Sequence, residues 1–324
     1  MRGLLSFLLL PTLLLLALLA GCAREPPLIR QESFVFGTRV EVLIVGVPEA
    51  QGGAAAAEVL REFDRLHRTY HAWQASDLTA LNAALAQGRP HLVSAELAGL
   101  IRAAQAIAAQ SEHLFDPGIG RLIALWGFQG DDFQAVLPDP RQLQALVAAR
   151  ASIADLRLDG NRVTTKNRAV ALDFGGYLKG VALDRAAELL KARGIANALI
   201  NIGGNVIALG AKGGQPWRVG IQHPRAGEVG NAPLATLDLR DGEAIGTSGD
   251  YQRYFELAGR RYCHLLDPAS GAPAQGTQAV TVLIPPGAQA GMRSDALSKP
   301  LFIAGDGWRE QARRLNVGQT LRID

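Results

Sequence analysis

The sequence has few cysteines and no concentration of positive charge. Its 324 residues include only two cysteines, Cys22 and Cys263. Neither belongs to a CxxC pair, which excludes a zinc site of paired cysteines and a framework of disulfides. The 33 Lys and Arg residues and the 30 Asp and Glu residues leave a net charge of +3. Because no Lys/Arg-rich run marks a nucleic-acid footprint, we expect no DNA or RNA partner.

Apolar residues are abundant instead. They make up 48% of the chain, while charged residues make up 19%, a balance typical of a protein that buries a core. Disorder, collagen and coiled coil are therefore excluded. Because the chain contains no internal repeat and no long linker, we expect one large unit rather than two separate domains.

The N-terminus has the pattern of an export signal. Met1-Arg2-Gly3 forms a charged start. The apolar run at residues 4–20 is borderline in length for a membrane-spanning helix and is broken by Pro11. It ends in Leu18-Leu19-Ala20-Gly21-Cys22, which resembles a bacterial lipobox. That resemblance implies cleavage before Cys22 and lipidation of Cys22, whereas the alternative is an ordinary secretory signal with an incidental cysteine.

From this pattern we predict a lipoprotein signal peptide at residues 1–21, a tether at residues 22–33 and a folded domain at residues 34–324. The protein would be exported and lipid-anchored to a bacterial membrane, facing the periplasm. Cys263 is then alone in an oxidising compartment, and we expect it to be buried rather than reactive.

Alternation and helical spacing indicate a mixed fold. Helical patterns cover residues 58–73, begin with Ser94 as an N-cap, and begin again at Asp139-Pro140. Residues 34–45 are predicted as one strand, and Asp159-Gly160 as a hairpin turn. The later strands are predicted near residues 198–202, 217–221, 234–239, 254–257, 261–266 and 279–284. With helices mainly in the first half and mixed or antiparallel strands in the second, the predicted fold class is α+β.

Several segments contain residues suited to binding or catalysis. Residues 173–180 carry glycines between a strand and a helix, where backbone N–H groups can hold phosphate oxygens, although such glycines also serve close packing. Residues 201–205 interrupt a strand with glycine, which indicates the approach of a ligand or a β-bulge. Residues 247–251 and 267–271 have the composition of caps or turns. His264 precedes the last of these segments, where a histidine is either a base or a hydrogen-bonded core residue.

The last candidate segment is Ser294-Asp295-Ala296-Leu297-Ser298-Lys299. Asp295 and Ser298 are three residues apart, which places hard oxygen ligands on one face of a helix. An N-cap at Ser294 would explain part of the same pattern. The residues alone leave both interpretations open.

The order of nine segments resembles that of one protein family. The segments are residues 36–38, 76–82, 115–117, 125–128, 173–184, 201–205, 247–251, 264–273 and 295–298. They make the chain similar to the ApbE-type FAD:protein FMN transferases over essentially its whole length from Phe34 onward. The resemblance implies a T-fold-like α+β domain that binds FAD as its substrate.

The same resemblance implies an activity and its partners. The protein would transfer FMN from FAD to a threonine hydroxyl of an acceptor protein, a membrane redox subunit, through a phosphoester bond, and would release AMP. Mg²⁺ would be the cofactor. Alternatives from other classes are an FAD-binding lipoprotein without transferase activity and an FAD pyrophosphatase.

The family's functional residues carry over to positions in this chain. His264 and Asp295 match catalytic positions. The matched cofactor-binding positions are Phe36, Trp73 (with Tyr70 as the alternative register), Phe115, Asp116, Asp173, Lys179 and Leu265. The matched metal positions are the backbone carbonyl of Gly176, the side chains of Asp295 and Ser298, and Lys299, which stands where the family has a threonine ligand.

Lys299 departs from the family pattern. An ammonium has three donors and no acceptor, so it cannot coordinate Mg²⁺. Pro300 follows it, and proline inside a helix usually kinks it. Two interpretations remain: Lys299 turns away while the other ligands hold the ion, or its ammonium takes the place of the ion against the FAD phosphates.

Overall fold

The computed structural model describes residues 27–130, 132–230 and 232–324. The predicted signal peptide and Cys22 lie outside these ranges. The strands are β1 (Ile29–Val35), β2 (Thr38–Val45), β3 (His91–Leu92), β4 (Leu156–Asp159), β5 (Arg162–Thr165), β6 (Asn197–Ile202), β7 (Asn205–Leu209), β8 (Trp217–Ile221), β9 (Ala235–Leu239), β10 (Ala244–Gly249), β11 (Tyr254–Leu257), β12 (Arg260–Cys263), β13 (Ala279–Ile284) and β14 (Thr320–Ile323).

Helices lie between these strands, mostly in the first half of the chain. They are α1 (Glu49–Thr69), α2 (Asp77–Ala86), α3 (Ala95–Gln110), α4 (Gly120–Leu125), α5 (Pro140–Ala149), α6 (Leu178–Ala192), α7 (Ala226–Val229), α8 (Ala290–Ile303) and α9 (Trp308–Arg314). Within the described ranges, no helix has both the length and the hydropathy needed to cross a membrane.

The centre of the fold is a seven-stranded antiparallel sheet in the order β1-β2-β6-β7-β10-β13-β14. Its side chains alternate between two apolar layers, as the pleat requires. In β6, Ile200 and Ile202 point into the main core with the long helices, whereas Leu199 points into the layer formed with the β8–β9 hairpin. Helices α1, α6 and α8 cover the first face.

Glycines bring α8 to within backbone contact of its neighbours. A Cβ atom on Gly180 of α6 would lie 2.3 Å from the carbonyl oxygen of Gly291, and one on Gly246 of β10 would lie 2.1 Å from the carbonyl oxygen of Ser294. Real Cβ atoms do not approach that closely, so only glycine permits this packing. The first turns of α8 are therefore fixed against both α6 and the sheet.

Asp184 of α6 caps the start of α8. Its Oδ1 accepts a hydrogen bond from the Gly291 amide and its Oδ2 accepts one from the Met292 amide, each at 2.8 Å. These are two of the amides that a helix leaves without an internal partner. Burial raises the pKa of Asp184 to about 6.

The structure confirms the α+β class and several local predictions. Ser94 caps α3 by accepting from the Leu97 amide. Asp139 caps α5, with Pro140 as its first residue. The hairpin predicted at Asp159-Gly160 is present, with Gly160 and Asn161 between β4 and β5, and Cys263 is buried.

Two strand predictions were wrong. Residues 34–45 are not one strand but the end of β1, a turn at Phe36 and Gly37, and β2. The bulge expected at residues 201–205 is absent, because Gly203 and Gly204 form the turn between β6 and β7, and the approach of a ligand there stays a prediction. All four turn residues have positive φ, at 58°, 70°, 57° and 91°, which is the backbone that two-residue hairpin loops require.

Three further expectations also needed correction. Residues 247–249 continue β10 and form no cap, because they pair with β13. Ser294 does not cap α8, which begins four residues earlier at Ala290, and its hydroxyl donates to the Gly291 carbonyl at 2.8 Å. Strand β1 begins at Ile29, inside the predicted tether, because Ile29 pairs with Ile44.

We predict that Gly180→Ala destabilises the fold by about 2–3 kcal/mol, because the new methyl group would overlap the Gly291 carbonyl. Urea unfolding at neutral pH measures the free energy. Gly99→Ala is the matched control, since Gly99 lies on the exposed face of α3 with no neighbouring atom within 4 Å, and we expect it to stabilise by about 0.5–1 kcal/mol. An unfolding midpoint of Gly180→Ala equal to that of the wild type would contradict the packing described.

Candidate active site

The most deeply buried charged group at the candidate site is the carboxylate of Asp295 in α8. Its side chain is fully buried, and Oδ2 accepts a hydrogen bond of 2.9 Å from the Gly180 amide. The Lys299 ammonium, one turn later, lies 2.5 Å from Oδ1 and also donates to the backbone carbonyl of Asp295 at 2.7 Å. Lys299 is 9% exposed and does not turn away from the site, so its ammonium stands beside the predicted metal ligand.

A second ammonium, that of Lys179, approaches the same carboxylate. Its Nζ lies 3.9 Å from Asp295 Oδ1 and donates to the Gly175 carbonyl at 3.1 Å. Burial alone would raise the pKa of Asp295, but the charges of Lys179 and Lys299 outweigh it and lower the pKa. Burial, and then repulsion from Lys179, outweigh the attraction to Asp295 and lower the pKa of Lys299 to about 8. The site thus holds two ammonium groups against one carboxylate.

The glycine-bearing loop before α6 lies directly against Lys299. Asp173 shapes the loop by accepting from the Gly175 amide at 2.8 Å through Oδ1. Its Oδ2 is buried without a hydrogen-bond partner among the described residues, and burial raises its pKa. A Cβ atom placed on Gly176 would lie 3.6 Å from Lys299 Cε and 3.8 Å from the Phe115 ring. The structure therefore brings Gly176, Phe115 and Lys299 together, as predicted.

Ser298 completes the predicted metal group but is already hydrogen-bonded. Its hydroxyl donates to the Asp295 carbonyl at 2.8 Å, so the 2.7 Å contact with Ser248 of β10 has Ser248 as its donor. Ser248 was predicted only as part of a turn.

The predicted metal positions at Gly176, Asp295, Ser298 and Lys299 do not fit a resident Mg²⁺. Such an ion needs oxygen ligands at about 2.1 Å in octahedral geometry. One oxygen of Asp295 faces an ammonium at 2.5 Å and the other accepts from an amide. No set of three or more His, Cys, Asp or Glu side chains assembles to hold a metal within the described ranges.

His264 follows β12 and faces the charged group. Its Nδ1 lies 3.2 Å from the Arg253 carbonyl, and because a carbonyl only accepts, Nδ1 carries the hydrogen and Nε2 keeps the lone pair. Burial, then the positive charges of Arg253, Lys179 and Lys299, lower the pKa of His264 to about 3. The imidazole is therefore neutral near pH 7 and available as a proton acceptor at Nε2.

Aromatic rings form a row from the β1–β2 turn to the surface. The ring of Phe36 lies 5.5 Å from that of His67, His67 lies 4.9 Å from His71, and His71 lies 4.6 Å from Trp73. Trp73 is 38% exposed. Tyr70, by contrast, is buried and donates to Glu96 at 2.7 Å. The structure therefore favours Trp73 over Tyr70 as the aromatic that a ligand can reach.

Asp116 and Leu265 form hydrogen bonds with neighbouring parts of the protein. The oxygens of Asp116 accept from the Gly118 and Ile153 amides at 2.8 Å, and they also contact Ser152 and His113. Asp116 thus anchors the loop that carries Phe115. Leu265 is buried, and its carbonyl accepts from the Ala274 amide. Their predicted contacts with the cofactor stay predictions.

Arg253 is a site residue that the sequence did not reveal. Its guanidinium lies 5.6 Å from the centre of the Trp73 ring and donates to the carbonyls of Phe128 and Gly130 at 2.9 and 2.8 Å. It joins the aromatic row to the loop after α4. No local signal marked it, because the residues it joins are more than a hundred positions away in the chain.

The chain is similar to known proteins in sequence and in fold. A model of the ApbE family matches residues 36–320. A relative from Rhodobacter capsulatus, named FAD:protein FMN transferase, is 40% identical over 298 residues, covering 92% of this chain and 55% of its own length; the chain thus spans about half of that relative. A relative of the same name from Klebsiella pneumoniae (strain 342) is 33% identical over 285 residues, covering 86% of this chain and 79% of its own length. The crystal structure of the ApbE protein from Thermotoga maritima superposes with a TM-score of 0.80 at 30% identity, covering 92% of this chain and 97% of its own.

We predict that Asp295→Asn destabilises the protein by about 3 kcal/mol, because it leaves the Lys299 ammonium buried without its nearest counter-charge. Removing both charges, in Asp295→Asn with Lys299→Met, should recover at least about 1 kcal/mol of that loss. Urea unfolding of the four proteins in this double-mutant cycle measures the coupling. A double variant no more stable than Asp295→Asn alone would contradict the buried pair.

Proposed function

The chain belongs to the ApbE family, and we propose that it transfers FMN from FAD to a threonine hydroxyl of an acceptor protein. The observation that carries this proposal is the arrangement at Asp295. Two ammonium groups, a glycine-bearing loop at a helix start and a neutral histidine converge there. Together they provide positive charge and amide donors for a diphosphate, and an acceptor for a proton.

The proposed reaction is a displacement at phosphorus. The threonine oxygen attacks the phosphorus on the FMN side of the FAD diphosphate, and a phosphoester bond forms between them. The bond from that phosphorus to the bridging oxygen breaks, and AMP leaves with this oxygen and its electron pair. The hydroxyl proton passes to a base. Negative charge builds on the bridging oxygen, so positive charge held there lowers the barrier.

Residues of this chain take the required roles in the proposal. Lys179 and Lys299 supply positive charge to the phosphates, and the Gly176 amide in the loop at residues 173–177 supplies a backbone donor. His264 accepts the threonine proton at Nε2, since Nδ1 is bonded to the Arg253 carbonyl. Trp73 offers an exposed ring for the flavin.

The resemblance also implies Mg²⁺, which when bound would supply positive charge at the diphosphate. Gly176 and the side chains of Asp295 and Ser298 lie around Lys299, but the Asp295 carboxylate and the Ser298 hydroxyl are already hydrogen-bonded and an ammonium stands among them. The proposal therefore assigns that charge to lysine rather than to an ion on Asp295. The two alternatives, an FAD-binding lipoprotein without transferase activity and an FAD pyrophosphatase, share these binding residues, and no observation favours either.

We also propose that the protein is exported and held to a bacterial membrane through lipid on Cys22, facing the periplasm. Support comes from the signal pattern at residues 1–21 and from the start of the fold at Ile29. Six residues separate Cys22 from β1, so the lipid and the domain can be at most about 25 Å apart. A membrane redox subunit that carries the acceptor threonine would lie within reach.

The transfer is tested by mixing the purified protein, from Cys22 onward, with FAD and the soluble domain of a candidate membrane redox subunit. We expect covalent flavin fluorescence on the denatured acceptor and one AMP released per flavin attached. His264→Gln should slow labelling by at least about a hundredfold because it removes the proton acceptor, while FAD affinity stays within about threefold.

His91→Gln, in β3 of a separate small sheet, is the matched control and should label at the wild-type rate. Threonine-to-alanine substitution at the acceptor site should abolish labelling. Release of FMN and AMP in equal amounts without any labelled acceptor would show a pyrophosphatase instead, and FAD binding without either product would show a binding protein.

We predict that Cys22→Ala releases the protein from the membrane, because the thioether that carries the lipid can no longer form. Fractionation of cells that express the full chain, followed by detergent phase partitioning, measures the change. Cys263→Ala is the control, since Cys263 is buried in the fold, and it should remain in the membrane fraction. Membrane retention of Cys22→Ala after cleavage of residues 1–21 would contradict the lipid anchor, whereas retention of the uncleaved chain would show only that the apolar segment was not removed.

A further inference from the structure

Lys299 is held more tightly than a surface lysine. Its ammonium makes two short contacts with Asp295, at 2.5 and 2.7 Å, and its stem passes along Gly176. Ordering a long side chain in this way costs rotamer entropy. The contacts within the site offset that cost, so the position of the ammonium is defined before any ligand binds.

The charges around Lys299 do not balance. Lys179 and Lys299 both face Asp295, and Asp295 is the carboxylate that both approach within 4 Å. The other nearby acid is Asp173, whose Oδ1 is engaged by the Gly175 amide. An excess of positive charge in a partly buried site is unfavourable unless an anion joins it. The site is therefore suited to an anionic ligand, and a diphosphate supplies the missing charge.

Donor groups remain for such a ligand. An ammonium has three N–H donors, and the Asp295 contacts use two of those on Lys299. Lys179 uses one on the Gly175 carbonyl. Both lysines lie against the glycine-bearing loop, Lys179 through the Gly175 carbonyl and Lys299 through its stem along Gly176. A phosphate bound there would meet their remaining donors.

We propose that Lys299 is the resident cation of this site: its ammonium fills the place where a divalent ion would stand among Gly176, Asp295 and Ser298, and it binds the FAD diphosphate directly. The inference rests on the proposed function for the identity of the ligand. Asp295 then acts as a positioning residue that holds the ammonium, and no metal ion needs to bind Asp295 for FAD to bind.

The test separates metal binding from flavin binding and from transfer. Mn²⁺ serves as the metal probe, because its electron paramagnetic resonance signal falls when the ion is bound by protein. The titration is made with and without FAD, and the signal change from FAD alone is subtracted. FAD affinity is measured by flavin fluorescence in buffer with a chelator and in buffer with Mg²⁺. The variants are Lys299→Thr, Lys299→Met and Lys299→Arg, with Lys212→Thr, an exposed lysine in the β7–β8 loop, as the matched control.

The wild type should bind no Mn²⁺, and its FAD dissociation constant should agree within about twofold between the two buffers, because the cation is built into the chain. Lys299→Thr should acquire a Mn²⁺ site, since the Asp295 oxygen is released, and should lose at least about tenfold in FAD affinity in the chelator buffer, with recovery in Mg²⁺. Lys299→Met should lose at least about tenfold in both buffers because no cation replaces the ammonium. Lys299→Arg should still bind FAD without metal, and Lys212→Thr should match the wild type.

Two results would overturn the inference. One is a wild-type Mn²⁺ site that Asp295→Asn abolishes. The other is the absence of a Mn²⁺ site in Lys299→Thr when urea unfolding shows that this variant is folded. If Lys299→Thr does not fold, the wild-type titration and Lys299→Arg decide the matter.

Failure of the proposed function gives a different pattern. A wild type that binds FAD without metal but never labels an acceptor would leave Lys299 as the resident cation of a flavin-binding protein. A wild type that labels the acceptor only with Mg²⁺, while Mn²⁺ binds at Asp295, would keep the transferase and refute the role of Lys299.

Discussion

The close approach of α8 to α6 and β10 is the constraint on which the site depends. Glycine at positions 180 and 246 allows the backbone of α8 to reach its neighbours at distances that any side chain would prevent. This contact removes water from Asp295 and aligns its carboxylate with the Gly180 amide. Because the same turn of α6 carries Lys179, the packing that buries the acid also delivers its counter-charge. Backbone packing therefore comes first, and the electrostatics of the site follow from it.

The charged groups around Asp295 interact strongly because they are shielded from water. In a region of low effective dielectric, an ammonium several ångströms away still shifts a titration, whereas in water it would have little effect. His264 illustrates the result, because burial and the positive charges around it lower its pKa to about 3. The same positive charge that suits a diphosphate therefore also keeps a nearby imidazole neutral, with its lone pair at Nε2. It makes that nitrogen a weaker base as well, and a bound anion would offset this effect by neutralising part of the charge.

Local signals in the sequence predicted the parts of the fold that depend on local chemistry. The caps at Ser94 and Asp139 and the hairpin at Asp159-Gly160 were all predicted correctly, because a cap or a turn is decided by a few adjacent residues. The prediction of Ser294 as an N-cap was wrong because the start of α8 is capped by Asp184. Asp184 accepts from the Gly291 amide, 107 positions later in the chain, so no nearby residue indicates this cap. In the site, the order of segments grouped Gly176, Asp295 and Ser298 as predicted metal positions, and the structure places Gly176 and Asp295 against Lys299. The order of segments could not foretell the direction of Lys299 or the role of Arg253, since both depend on packing between distant segments.

The replacement of a hydroxyl ligand by lysine changes what Asp295 does. A carboxylate that shares an ion with other oxygens contributes charge to the ion, and its geometry is set by coordination. Here the carboxylate holds an ammonium that belongs to its own helix, four residues later. One ammonium carries half the charge of Mg²⁺, but Lys179 lies close enough to add a second positive charge at the same carboxylate. Two lysines fixed by one buried acid therefore provide the charge of a divalent ion without its ligand geometry. Because the two ammonium groups impose no coordination geometry, the alignment of the phosphates in the proposed reaction falls to the loop at residues 173–177 and to the helix that follows it.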